Sequence, residues 1–235
     1  MKPILITSIV LLLVSMACGN DKDTPATVTV PDLGPEEIIV QASPALDNVT
    51  SLHYDLSQKG GGTPIAMGLE MTAAYGDIIS PDKLAMTIEG TLGKMFVETG
   101  LVTVGETTYM QNPLNKKWEM LSDDFQAVKL FNPETGIKAV MESSTDLSMI
   151  DQQHFGGALC YHIKGLILSE VLDSIAAGHA AEGLPVDVDM WIGVEDLLLR
   201  KVVFDGQICE DENTGIVRTL VLSNFNGPIT IELPE

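Results

Sequence analysis

The sequence predicts an α+β domain built on one long, curled antiparallel sheet of roughly nine to eleven strands, partly covered by short helices. Three observations lead there. Between residues 51 and 121, short runs of alternating apolar and polar residues follow one another at hairpin spacing. A second series occupies residues 158 to 233. Helix-period stripes are brief and fall before or between these two series. An open sheet of that many strands bends into a trough instead of staying flat.

The N-terminus is built for export. Lys2 gives a positive start, Ile4 to Val14 an apolar core broken only by Thr7 and Ser8, and Ser15-Met16-Ala17 a run of small residues before a cut. The core is too short, and wrongly flanked, for a membrane span. Cys18 follows directly, in an arrangement that resembles a bacterial lipobox, although Ser15 stands where Leu is usual. The expected sequence of events is cleavage after residue 17 and acylation of the Cys18 thiol by palmitate-type chains. Residues 18–35 then form a lipidated N-terminus and tether, since the stretch to about Gly34 is polar, dotted with proline and aperiodic. Residues 36–235 form the domain, long enough for one sizeable core.

Pro35-Glu36-Glu37 opens a helix, with acids where its first turn favours them. Ile38, Ile39, Ala42, Ala45, Leu46 and Val49 form its apolar stripe, and Pro44 should kink or split it. Strands are expected over 51–58 and 63–74, with Gly60-Gly61-Gly62 between them. More follow near Leu84–Ile88 and over 94–104, 107–111 and 117–121. Turns are expected at Tyr75-Gly76-Asp77 and across Glu89–Gly93. Asn132 and Pro133 start a helix carrying Ile137, Val140 and Met141. A strand over 158–168 leads to Ser169, which caps a second helix running to about Ala181, with Val171, Leu172, Ile175, Ala176 and His179 on its apolar side. Strands over 186–194, 197–207, 216–225 and 228–233 complete the domain.

Composition excludes several functions. The chain carries 33 acidic residues against 13 Lys and Arg, a net charge of −20, and its first 17 residues contribute Lys2 and no acid. Nucleic acid and a bare anionic bilayer would both repel such a surface. The charge serves solubility, or gives an acidic face that recruits a basic partner or divalent cations. Methionine is abundant and aromatics scarce, which suits either ordinary core or a deformable apolar cavity. Cys160 and Cys209 are either a disulfide or two small buried residues.

Catalytic grammar is missing: the sequence has no nucleophile elbow, zinc-protease helix, phosphate loop or dinucleotide fingerprint. Asp187 and Asp189 share one strand face, where solvation explains them better than a metal or acid–base chemistry. Glu210-Asp211-Glu212-Asn213 with Gly215 falls short of a calcium loop and reads as a hairpin turn. No cofactor, metal or enzymatic activity is expected.

A series of landmarks, ordered along the chain, carries a resemblance. They begin with Val49-Thr50-Ser51-Leu52-His53-Tyr54, Ala74-Tyr75-Gly76-Asp77-Ile78 and Pro81-Asp82-Lys83. Val104-Gly105-Glu106-Thr107-Thr108-Tyr109, Asn112-Pro113, Trp118 and Phe131-Asn132-Pro133-Glu134-Thr135-Gly136-Ile137 follow. Leu197-Leu198-Leu199-Arg200-Lys201 and Leu222-Ser223-Asn224-Phe225-Asn226 close the series. Together they resemble the LppX/LprA/LprF/LprG family of lipoproteins, best known from mycobacteria. The resemblance implies a half-barrel similar to the LolA and LolB lipoprotein carriers, with helices over its concave face. It implies an apolar cavity for the acyl chains of lipids or lipoglycans, which family members carry towards the outer envelope. It brings no catalytic residues, and Cys160 and Cys209 are not family features.

The expected function is therefore a monomeric lipoprotein, anchored on the outer face of a bacterial cell membrane, that binds and carries or presents a lipid or glycolipid. The competing reading is a non-transporting interaction or sensor module that docks through its acidic surface. Candidate cavity residues are Met67, Leu69, Met71, Leu84, Met86 and Ile88 on the sheet. On the helices they are Ile137, Met141, Val171, Leu172 and Ile175.

Overall fold

The computed structural model describes residues 33–65, 68–121, 136–176 and 178–234. The signal segment, Cys18 and the tether up to residue 32 lie outside the described residues, as do Met67, Asn132 and Pro133.

A short helix, α1 (Pro35–Ala42), runs straight into a 3-10 turn over Ser43–Asn48, the break expected at Pro44. Ile38, Ile39 and Ala42 are its buried face. Strands β1 (Ser51–Lys59), β2 (Thr63–Pro64), β3 (Leu69–Ile79), β4 (Lys83–Leu92), β5 (Met95–Val104), β6 (Thr107–Gln111) and β7 (Trp118–Met120) follow. Helix α2 (Ile137–Ser143) separates them from β8 (Thr145–Phe155), β9 (Ala158–Leu168), β10 (Pro185–Gly193), β11 (Leu199–Asp205) and β12 (Val217–Ser223).

The strands form a single sheet of 12, in the order β7-β6-β5-β4-β3-β1-β12-β11-β10-β9-β8, with β2 beside β3. Every pairing is antiparallel. Among the described residues the sheet does not close, and β7 and β8 are its two edges. β1 and β12 meet at its centre and join the two sequential meanders.

Register assembles one continuous apolar face. Leu52, Tyr54 and Leu56 of β1 lie opposite Ile78, Gly76 and Ala74 of β3, and these lie opposite Leu84, Met86 and Ile88 of β4. On the other side of β1, Tyr54 and Leu56 lie opposite Leu222 and Leu220, and Val202, Met190 and Ile163 continue the row. Most of these side chains are buried, and α1, α2 and the segment after β9 supply further buried side chains. The opposite face is mixed, with His53, Asp55, Asp77, His162 and Asp189 beside Tyr75, Trp191 and Val221.

Four sequence expectations are corrected. Strand β3 runs through Tyr75-Gly76-Asp77 to Ile79, and β4 runs through Gly90 to Leu92. Both glycines permit close strand contact, not turns. A Cβ on Gly76 would stand 2.1 Å from the Ala85 carbonyl oxygen, and one on Gly90 2.2 Å from that of Glu70. The helix expected from Ser169 is a single 3-10 turn, Ser169–Leu172, continued by irregular turns, because Gly178 and Gly183 adopt φ values of 85° and 76°. His179 is consequently exposed and not on an apolar stripe. Residues 228–233 form no strand.

The single strand expected over 63–74 is two, β2 and β3, which pair with each other, and β8 was not expected at all. Nearly all of it is exposed, with only Leu147, Met149 and Phe155 half-buried, so it shows no strong alternation. Its pairing with β9 slips twice, between Thr145 and Ser148 and between Met149 and Asp151.

Candidate functional site

The apolar face gathers the expected residues from both series. Leu69, Leu84, Ile88, Met141, Leu172 and Ile175 are fully or almost fully buried, as are Met71 and Ile137. Met86 and Val171 are half-buried. Tyr54 is placed so that its hydroxyl donates to the Met86 sulfur at 2.8 Å. Burial pushes the Tyr54 phenol well above its ordinary pKa, with Asp77 and Asp55 adding to the shift, so it stays protonated.

Open volume lies at one end of this face, where the 3-10 turn and α2 meet the sheet. It is a cavity of about 180 Å³. Leu46, Val49, Leu52, Ile78, Ile137 and Leu222 provide apolar wall, and Thr50, Ser51, Ser80 and Pro81 a more polar rim. Of the described residues named from sequence, only Ile137 lines it; Leu69, Met71, Leu84 and Ile88 are buried elsewhere in the interior. Leu46 and Val49 precede β1, and the missed sheet residues, Leu52, Ile78 and Leu222, belong to strand ends. Their signal was register: Leu52 lies opposite Ile78, and Leu222 lies opposite the adjoining Tyr54.

Two polar contacts hold the helical cover at this cavity. Lys138 donates to both oxygens of Asp47 at 2.8 Å, and these two residues also line the cavity. The Ser43 hydroxyl donates to Glu142, linking the first helical segment to α2. Both contacts join helix to helix, so the cover is tied to itself. A surface ion pair of this kind stabilises by about 1 kcal/mol or less.

The outer face carries the remaining sequence candidates. Asp189 faces out and contacts His162 Nε2 at 2.7 Å, and Asp187 lies 3.5 Å from Lys164. His162 stacks on Trp191 with ring centroids 4.2 Å apart, and Lys201 Nζ sits 3.9 Å from the Trp191 centroid. These contacts occupy the paired aspartates in surface packing. Among the described residues, no group of three His, Cys, Asp or Glu converges as a metal site would require. None of their helices is long and apolar enough to cross a membrane. Cys160 and Cys209 are free and buried. Burial raises both thiol pKa values, that of Cys209 to about 12 with Glu212 adding to the rise.

An open, curled antiparallel sheet with a helix-covered apolar face defines the class as a half-barrel domain. The chain belongs to the LppX_LprAFG lipoprotein family, whose model matches residues 34–231. Two solved structures share the fold. LprF from Mycobacterium bovis superposes with a TM-score of 0.68 at 16% identity, over 85% of this chain and 96% of that one. The Mycobacterium tuberculosis lipoprotein LppX gives 0.60 at 18%, over 84% and 98%. Among curated protein sequences, none matches.

Proposed function

We propose that this protein is a membrane-anchored lipoprotein of the bacterial envelope that binds acyl chains between its sheet and its helical cover. In this reading residues 1–17 are removed, Cys18 carries the lipid anchor and residues 18–35 are the tether. The domain from residue 36 then carries or presents a lipid or glycolipid at the outer face of the membrane.

The observation that supports it is the cavity at the seam of sheet and cover, apolar in its depth and polar at its rim. Each CH₂ moved from water into such a space contributes about 0.8 kcal/mol, so a greasy container suffices and no reactive group is needed. Its 180 Å³ is smaller than the roughly 300–1,000 Å³ of ordinary ligand pockets. It would therefore hold part of one chain, and full loading requires the cover to lift from the sheet. Lys138–Asp47 and Ser43–Glu142 tie the helical segments to each other, which suits a cover that moves as a unit. Flexible methionines at Met71, Met86 and Met141 suit a face that repacks around cargo.

The test is mass spectrometry of organic extracts from protein purified out of its native envelope. A reproducible acyl lipid at near-equimolar amount is expected. Protein that is empty on purification and takes up no lipid from vesicles would refute the reading.

A further inference from the structure

At the end of the apolar face away from the cavity, β12 places Arg218 between Gln58 of β1 and Phe204 of β11. Arg218 is fully buried. A cation is costly there unless its donors are used. Only part of its fork is used: Nη2 donates to Glu212 Oε1 and, at 3.4 Å, to Thr63 Oγ1. Arg218 Nε and Nη1 have no partner, and neither has Gln58 Nε2 beside them. Gln58 Oε1 accepts from Thr63 at 3.1 Å and receives nothing from Nε or Nη1.

Glu212 is an incomplete partner. One oxygen meets a single guanidinium nitrogen, while the other accepts the Ile208 N–H at 3.0 Å. A guanidinium is matched by two oxygens presented together, as phosphate presents them. We infer that Arg218, Gln58 and Thr63 form a recognition site for the phosphate of an anionic lipid headgroup, which Glu212 fills in the empty protein. This rests on the lipid-binding reading above. An arriving phosphate would take the fork through Nε and Nη1, accept from Gln58 Nε2, and release Glu212. The loop between β11 and β12 that carries Glu212 would then lift, uncovering the adjacent Cys209.

The experiment uses the full chain with three probes: dipalmitoyl-phosphatidylglycerol, dipalmitoylglycerol and inorganic phosphate. Wild type should bind the phospholipid at least tenfold more tightly than the neutral lipid with identical tails, and phospholipid should speed thiol labelling of Cys209. Arg218→Met should erase the preference while leaving dipalmitoylglycerol binding, which also reports that the variant is folded. Arg218→Lys, keeping charge without the fork, should recover little of it. Glu212→Gln should strengthen phospholipid binding and label faster without ligand. Equal affinity for the two lipids, or a preference that survives Arg218→Met, overturns the headgroup site and leaves the carrier reading standing. Binding of inorganic phosphate alone, lost in Arg218→Met, keeps an anion site but overturns its assignment to lipid and the carrier reading with it. No binding of any probe overturns both.

Discussion

Replacing Ile137 by Trp separates a cavity from ordinary core by the sign of one number. Ile137 is buried on α2 and faces the space of about 180 Å³ bounded by Leu52, Ile78 and Leu222. At about 24 cal/mol per Å³, leaving that volume unfilled costs at most about 4 kcal/mol, less to the extent that water enters from the rim. An indole that occupied a third of it would return about 1.5 kcal/mol. In a close-packed interior the same enlargement would cost about 1–3 kcal/mol through displaced neighbours. Urea unfolding of delipidated protein measures the difference, provided that the slope is unchanged and only the midpoint moves. The expected result is a higher midpoint together with weaker lipid uptake, because indole and acyl chain compete for one volume. A lower midpoint, or a higher one with uptake intact, would refute the assignment of this space to cargo.

Other perturbations test other parts of the molecule. Ile88→Ala, at a fully buried position opposite Ala74 and Thr99, should destabilise by about 2–5 kcal/mol in the same assay. Cys18→Ser should shift the folded protein from the membrane fraction to the soluble one; a variant that stays in the membrane fraction would refute the anchor. Alkaline pH should weaken the fold. The Cys209 thiol is raised to about 12, so the unfolded chain loses that proton first, and stability falls as pH rises from about 9 towards 12. Cys160 and Tyr54 shift in the same direction and steepen the fall. Cys209→Ala should flatten the decline measurably in denaturant titrations across that range.

The sheet was legible because its buried strands alternate. β6 and β9 occur as expected, at residues 107–111 and 158–168, and the other expected ends before residue 226 lie mostly within two or three residues. Pro44 marked the break after α1 for a local steric reason that no tertiary contact overrides. Failures arose where meaning depended on a partner strand. Gly76 and Gly90 look like turns until the neighbouring backbone shows why side chains are excluded. β8 is half of a pair whose alternation is carried by β9. The site was legible as a face but not as a place. Periodicity selected Leu84 and Ile88 as inward-facing, whereas the open volume lies at strand ends, where packing of the helical cover determines what stays unfilled. Glu212, in an acidic run that reads as a hairpin turn, has a buried side chain that pairs with the buried Arg218, six residues on.

The two margins of the sheet among the described residues bear on how such a molecule avoids self-association. A broad sheet that never closes offers backbone donors and acceptors to any passing extended chain, the usual route to fibrous assembly. Here one margin, β7, is only 3 residues long. The other, β8, is long enough to act as a template, but its two register slips break the spacing of its outward groups. Asp146 and Asp151 add repulsion along it, and Asp146 is held at a φ of 52°, a conformation that no regular ladder continues. The irregularity that hid β8 from periodicity thus also makes it a poor template for edge-to-edge pairing.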